Sequence, residues 1–115
     1  MKHHESRNGK KSVNVVRCPG NLDASQMVQM KSRFRRFTNQ KHRFFLIDLS
    51  KARHVELAGL GILVDGIRRM RSLKGDIRLF SLQPEVLETL RMIGLTQVIS
   101  TFQNEEEARR SVQIA

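Results

Sequence analysis

The stretch Phe44–Gly66, FFLIDLSKARHVELAGLGILVDG, decides the fold of this chain. Its first four residues are continuously apolar, which is typical of a strand that is buried on both faces of a sheet. After a polar loop, apolar residues recur at helical spacing from Leu57 onward, while Asp65, Arg68 and Arg69 fall elsewhere on the helical wheel. The stretch therefore predicts a buried strand followed by an amphipathic helix that packs on it.

The junction between this strand and this helix combines an acidic residue with two glycines. Glu56 lies where the positive end of the helix dipole favours a carboxylate. Gly59 and Gly61 lie in the first turn, where glycine lowers the stability of a helix. We expect such glycines to admit another group close to the backbone.

These residues resemble the signature of STAS domains, above all that of bacterial anti-sigma factor antagonists. The run Ile47–Ser50 and a short loop are followed by an acidic residue, two further positions and then Gly59–Gly61, GLG. The family motif typically reads D-S-S-G-L-G or D-S-A-G-L, so Glu56 stands at its acidic position. Leu57 stands where the family often carries the Ser or Thr that a partner kinase phosphorylates, and Ala58 follows it. Neither side chain has a hydroxyl, so no phosphorylation is expected there.

The resemblance covers the whole chain beyond its N-terminal tail and implies both a fold and a binding surface. The implied fold is a STAS-like α/β domain, with a central mixed β-sheet of four to five strands packed against about four α-helices. In the family, the loop and helix start equivalent to residues 50–61 bind the protein partner. The predicted partner-binding residues are Ser50, Arg53, His54, Glu56, Leu57, Ala58, Gly59 and Leu60.

The flanking sequence predicts the same alternation of strands and helices without the family. Asp23 and Gln26 form a capping-box pattern at the start of a helix, and Gly94 suits a left-handed helix end. Repeated strand-helix units with apolar strands favour a largely parallel inner sheet. The predicted elements are a strand at 13–18, a helix at 24–38, a helix at 57–73, a strand at 77–82, a helix at 84–93 with Ile93 on its apolar face, a strand at 98–102 and a terminal helix that Asn104 opens.

The composition of the chain suits one compact domain. It has 115 residues, of which 39% are hydrophobic, so a core can form without metal or disulfide support. We expect residues 1–11 to be a disordered basic tail and residues 12–115 to be a single STAS-like domain. With no apolar run of membrane-spanning length and no secretory signal, we expect a cytoplasmic protein. Cys18 is the single cysteine and is expected to be a small, half-buried hydrophobe at a strand end.

The formal charge of +10 raises the question of nucleic-acid binding. Much of the surplus lies toward the ends of the first two predicted helices, where cations favour the helix dipole. The chain has no Trp or Tyr, and its six Phe fall mostly at internal positions, so stacking aromatics are missing. Nucleic acid is therefore an unlikely partner. A basic surface could equally steer an acidic protein or lie against an anionic membrane.

The sequence favours a binding module over an enzyme. It shows no Ser-His-acid or Cys-His set, and Asp48 is expected to hold the following loop through backbone hydrogen bonds. Gly59 and Gly61 lack the third glycine of a dinucleotide motif, and no histidine stands at metal-ligand spacing. We expect no cofactor and no metal. Gly66, inside the helix, is interpreted as a position of close packing on the sheet.

Two functions remain open. In the first, the protein resembles an anti-sigma factor antagonist and binds an anti-sigma factor or a switch serine kinase, with Leu57 as an apolar contact and Glu56 as a fixed negative charge. In the second, it is a soluble STAS subunit of a lipid-asymmetry type membrane transporter and docks on an ATPase subunit. A structural alternative also stands, in which Leu57 caps the core and Glu56 only favours the helix dipole. The oligomeric state stays open, and a dimer is allowed.

Overall fold

The computed structural model describes residues 11–114 and shows a regular alternation of strands and helices. Four strands and four helices follow one another, with a short 3-10 turn, Leu95–Gln97, before the last strand. They are β1 (Asn14–Arg17), α1 (Ala24–Asn39), β2 (Phe44–Asp48), α2 (Leu57–Ser72), β3 (Asp76–Phe80), α3 (Pro84–Met92), β4 (Thr101–Phe102) and α4 (Glu105–Gln113). The predicted α/β class is confirmed.

The four strands form one sheet in the order β1-β2-β3-β4, and every pairing between them is parallel. Parallel neighbours cannot be joined by a tight turn, so a helix crosses over between successive strands. This confirms the parallel sheet expected from the strand-helix alternation. The antiparallel part of the mixed sheet that the family resemblance implied is not found among residues 11–114.

Side chains of β2 alternate between the two faces of the sheet, as the period of two requires. Phe45 and Ile47 enter a large core against α1, α2 and α3, while Leu46 points to the opposite face. On that second face α4 packs Ala108 and Val112 against the sheet. Each face is thus closed by helices, and β2 is fully buried at its centre, as its continuous apolar sequence predicted.

Several predicted local signals are confirmed. The Asp23 carboxylate accepts a hydrogen bond from the backbone N–H of Gln26 at 2.9 Å, and Asn104 caps α4 in the same way. Gly94 has φ +80°, in the left-handed region. Gly66 does lie close to the sheet, since a Cβ there would come within 3.3 Å of Ile77 Cδ1.

Other predictions need correction. The last strand is shorter than expected, because the chain after Gly94 winds into the 3-10 turn and leaves Val98 outside β4. Cys18 is buried completely rather than by half. Ile93, expected on the inner face of its helix, is 45% exposed because the helix ends at Met92 and Ile93 forms its cap.

The N-terminal boundary is also corrected at one residue. Lys11 exchanges backbone hydrogen bonds with the Gln113 side chain, at 2.7 and 2.8 Å, and its ammonium lies over the Phe44 ring. It is therefore part of the folded domain, although it was assigned to the tail. The rest of the predicted tail, residues 1–10, lies outside the described residues.

Candidate functional site

The predicted partner-binding residues lie at one corner of the molecule, where the chain leaves β2 and enters α2. This corner loop, residues 49–56, lies at the carboxyl edge of the parallel sheet, the edge at which α/β proteins commonly place their sites. Its backbone is held by side chains from three other segments. The corner therefore keeps a defined shape without a bound partner.

Asp48 fixes the start of the corner loop. Its Oδ1 accepts a hydrogen bond from the backbone N–H of Ser50 at 2.8 Å, which confirms its predicted role. Its Oδ2 accepts from the Arg17 guanidinium at 2.9 Å, and Arg17 also binds Glu105 at 3.0 Å. Asp48 thereby connects the loop to β1 and to the start of α4.

These contacts change the acidity of both carboxyl groups. Burial of Asp48 disfavours its charge, but the hydrogen bonds from Ser50 and Arg17 outweigh burial and hold its pKa below the ordinary value. The hydrogen bond from Arg17 is the main cause that lowers the pKa of Glu105, and the hydrogen bond from Arg109 lowers it further. Both groups are therefore ionised and fully engaged in structural contacts at neutral pH.

A second set of contacts ties the loop to the segment before α1. Asn21 Oδ1 accepts hydrogen bonds from the backbone N–H groups of Arg53 and His54, at 2.9 and 3.1 Å. Leu22 and Val55 form a parallel β-bridge, in which the backbone of Leu22 is hydrogen-bonded to the two residues on either side of Val55. Asn21 belongs to none of the motifs in the sequence, so its role in holding the loop was missed.

Gln83 supplies the third contact, again from a residue that the sequence did not single out. Its side-chain amide donates to the backbone carbonyl of Ser50 at 2.7 Å. Because Gln83 is also the residue before α3, the corner loop and the start of α3 are held together.

The structure exposes six of the eight predicted residues together along this corner. They are Ser50, Arg53, His54, Glu56, Leu57 and Ala58. Gly59 and Leu60 are buried, although Leu60 lines the depression beside Leu57, so their part in partner binding stays a prediction. A Cβ on Gly59 would lie 2.8 Å from Leu22 O, so the group close to this glycine is the chain's own backbone.

Glu56 and Leu57 form the start of α2. Glu56 is the N-cap residue, but its side chain makes no capping hydrogen bond, so its carboxylate stays available at the positive end of the helix. Leu57 is 77% exposed. It does not cap the core, and the alternative that assigned it this role is wrong.

Leu57 borders a shallow apolar depression between α2 and the end of α3. The opposite border is formed by Ile93 and Leu95, from the end of α3 and the 3-10 turn. Ile93 was missed because helical periodicity placed it inside. The corner thus presents an apolar surface that continues beyond the predicted motif.

The described residues also include one thiol and several possible metal ligands. Burial raises the pKa of the Cys18 thiol and hides it from solvent, so it is a poor nucleophile, and its Sγ donates to the Gly20 carbonyl at 3.1 Å. Among residues 11–114, no group of three or more His, Cys, Asp or Glu could hold a metal ion. Over the same residues, no helix is both long and apolar enough to cross a membrane.

The class of this domain follows from its match to a known family. The STAS domain model matches residues 6–108. The chain belongs to the STAS domain family. Its motif corner and parallel sheet are accordingly those of a STAS domain.

Solved structures show the same fold at low sequence identity. TM1081 of Thermotoga maritima, assigned as an anti-sigma factor antagonist, is 21% identical with a TM-score of 0.79, over 87% of this chain and 86% of that one. A sulfate transporter family protein from Wolinella succinogenes is 10% identical with a TM-score of 0.77, over 96% and 94%. Unphosphorylated SpoIIAA, an anti-sigma factor antagonist, is 17% identical with a TM-score of 0.67, over 96% and 91%. The same fold thus occurs both in anti-sigma factor antagonists and in a sulfate transporter family protein.

Proposed function

We propose that this STAS domain is a non-enzymatic regulator that acts by binding another protein, in the manner of an anti-sigma factor antagonist. Its partner is an anti-sigma factor or a switch serine kinase in the cytoplasm, bound through the exposed part of the corner. The observation that carries the proposal is the 77% exposure of Leu57 on the first turn of α2, beside an apolar depression.

The physical character of the corner supports a protein partner. Interfaces are commonly anchored by a few apolar side chains surrounded by polar ones that exclude water. Here Leu57 and Ile93 provide the apolar centre, while Arg53, His54 and Glu56 provide a charged and polar border. Because hydrogen bonds already order the corner loop, binding costs less conformational entropy than ordering a free loop would.

The proposed regulator works without the usual serine switch. SpoIIAA has been solved in unphosphorylated and phosphorylated forms. Phosphorylation adds about two negative charges, which change the fit to a partner. Leu57 and Ala58 cannot accept phosphate, so binding is permanently competent or is regulated elsewhere. Glu56 supplies a fixed charge at this surface.

The direct test is affinity capture of the partner by this chain, compared with capture by its Leu57→Glu variant. A charge that is buried at an interface without an opposite charge beside it is strongly unfavourable. The variant should therefore lose the captured protein while its thermal unfolding stays unchanged. Ile114→Glu is the matched control, because Ile114 is 81% exposed at the end of α4, on the other face of the sheet. Mass spectrometry should identify an anti-sigma factor or kinase. Undiminished capture by Leu57→Glu would show that the corner is not the interface.

The absent switch is tested separately. The protein is incubated with the captured kinase and ATP, and intact mass is measured. We expect no stoichiometric phosphate. Phosphate on Ser50 or Ser25 at one per chain would contradict the proposal of an unswitched regulator, while leaving partner binding untouched.

The likeness to a sulfate transporter family protein favours one second candidate. In it, this domain is a subunit of a lipid-asymmetry type transporter, and its basic surface lies near anionic lipid at the cytoplasmic face. The same capture experiment separates the two functions, because recovery of an ATPase subunit instead of an anti-sigma factor or kinase identifies the second. Nucleic-acid binding, which we do not propose, would appear as tight binding with a steep salt dependence in a titration.

A further inference from the structure

A groove between α1 and α2 adjoins the surface assigned to the partner, since Ile62 and Asp65 line both the groove and the corner depression. Its volume is about 330 Å³, at the lower end of the range of about 300–1,000 Å³ that is usual for ligand pockets. None of the six exposed corner residues lines it. The residues that do are Met27, Lys31, Phe34, Arg35, Thr38, Ile62, Asp65, Gly66, Arg69, Met70 and Ile77.

The floor of the groove is apolar. Met27, Phe34, Met70 and Ile77 supply it, and all four are core residues with little exposure. Methionine side chains are flexible and polarizable, and they adapt to apolar bodies of different shape. The floor can therefore accept an aliphatic chain or a ring, but it offers nothing to a strongly polar ligand.

The rim of the groove is mainly cationic. Lys31 and Arg35, one turn apart on α1, stand on one wall, and Arg69 stands with the acidic Asp65 on α2. In the described part of the chain, none of these three cations forms a salt bridge or a side-chain hydrogen bond, whereas the nearby Arg71 binds Asp76 at 2.9 Å. The rim thus carries three cations and one carboxylate, and the surplus positive charge favours an anion.

Gly66 keeps the groove open at its centre. In a helix interior, glycine is less favourable than alanine by about 0.5–1 kcal/mol. Close packing explains this residue only in part, because a Cβ would meet only the end of the flexible Ile77 side chain, at 3.3 Å. A larger side chain here would enter the space between the two helices.

We propose that this groove binds a small amphiphilic anion. The apolar body lies on the floor, and the acidic head group, a carboxylate or a phosphate ester, binds Lys31, Arg35 and Arg69. This assignment does not depend on the proposed partner, although the groove adjoins the corner depression along α2.

The test is calorimetric titration of the full chain with monomeric amphiphiles that share a twelve-carbon chain. Dodecanoate and dodecyl phosphate carry the two candidate head groups, and dodecyltrimethylammonium carries the opposite charge. We expect saturable binding of at least one anion at one per chain, and the tighter anion identifies the head group. Failure of both anions to saturate, or equal binding of the cation, would overturn the proposal.

Matched variants locate the site. The double variant Arg35→Gln/Arg69→Gln should weaken anion binding by about tenfold or more, since hydrogen bonds to charged groups contribute at that level. Arg33→Gln/Arg68→Gln removes the same charge from the same two helices outside the groove and should bind as the unmodified protein does. Equal loss in both variants would show diffuse attraction to charge and would overturn the site.

Blocking the groove gives a second, charge-independent readout. Gly66→Leu should abolish anion binding with the helix intact by circular dichroism, and Gly66→Ala should reduce it less. Binding that survives a folded Gly66→Leu variant would place the ligand elsewhere. Phosphatidylglycerol vesicles provide the last comparison. If they bind the protein while neither monomeric anion binds saturably, the cationic residues serve a membrane surface and the groove site is overturned.

Discussion

The two faces of the sheet are built differently. One face is covered by α1, α2 and α3, whose side chains interdigitate with those of the strands in a large continuous core. The other is covered by α4, with a small cluster around Leu46 and Phe80. There, polar contacts add to the packing, since Arg17 bridges Asp48 to Glu105, and Arg78 reaches Ser111 at 2.8 Å.

This difference explains where the candidate binding surfaces lie. Both the corner depression and the groove belong to the layer of several helices, because neighbouring helices leave clefts between them. A single helix lying on a sheet leaves fewer such clefts. The face with one helix instead connects the start and the end of the folded domain, through Lys11 and Gln113.

A large loss of stability is expected from removing core side chains on each face. Leu63→Ala, within the large core, should lower the free energy of unfolding by about 3 kcal/mol, because tightly packed neighbours cannot fill the cavity. Val112→Ala on α4 removes less apolar volume and should cost about 2 kcal/mol. Urea unfolding of both variants measures the contrast. A larger loss for Val112→Ala would reverse the ranking of the two faces.

The two motif glycines should respond in opposite directions. Gly59→Ala forces a Cβ against the backbone of Leu22 and Asp23 and should destabilise by about 2 kcal/mol, as overpacking does. Gly61→Ala meets nothing within 4 Å and should stabilise α2 by about 0.5–1 kcal/mol. Thermal unfolding of the pair provides the measurement. Similar effects from both would disprove the close backbone approach at Gly59.

A smaller effect should appear as acid sensitivity of the face covered by α4. The pKa values of Asp48 and Glu105 are lowered from 3.8 and 4.5 in the folded protein, so the unfolded chain binds their protons first. Their stabilisation is therefore complete above about pH 4.5 and is lost as the pH falls through the folded pKa values.

Arg17→Met should flatten this part of the pH profile, because Arg17 binds both carboxylates. The control is Arg110→Met, since Arg110 pairs with Glu106, which is exposed. Urea midpoints between pH 3 and 6 test the prediction. An unchanged profile in Arg17→Met would show that this bridge does not set the acid sensitivity.

The smallest expected effect concerns Leu57. Leu57→Ala should change stability by no more than about 0.5 kcal/mol, because the side chain is largely exposed. Leu60→Ala, three residues later and buried, should cost about 2–5 kcal/mol. Chemical unfolding distinguishes the two leucines. A large loss at Leu57 would mean that it serves the fold and not the surface.

Much of the fold could be predicted because its signals are local. The apolar run of β2, the caps Asp23 and Asn104 and the left-handed Gly94 each act within a few residues, and all of them hold in the structure. The weakest prediction was β4, because two paired residues leave almost no pattern in a sequence.

The candidate site was predicted less completely. The motif located the corner, and six of its residues are exposed there together. Burial of Gly59 could not be predicted from the motif, because it depends on the backbone of Leu22 and Asp23, which lies against it. Asn21 was missed for the same reason, since its hydrogen bonds join residues 32 and 33 positions apart.

The sequence by itself determined the elements, their parallel alternation and the absence of a hydroxyl at Leu57, because each follows from residue type and short-range spacing. The tertiary structure decided which motif residues reach the surface and how Ile93 joins Leu57 around one depression. It also decided that two helices leave a cationic groove over an apolar floor. These features arise where segments distant in sequence pack together, so no local pattern encodes them.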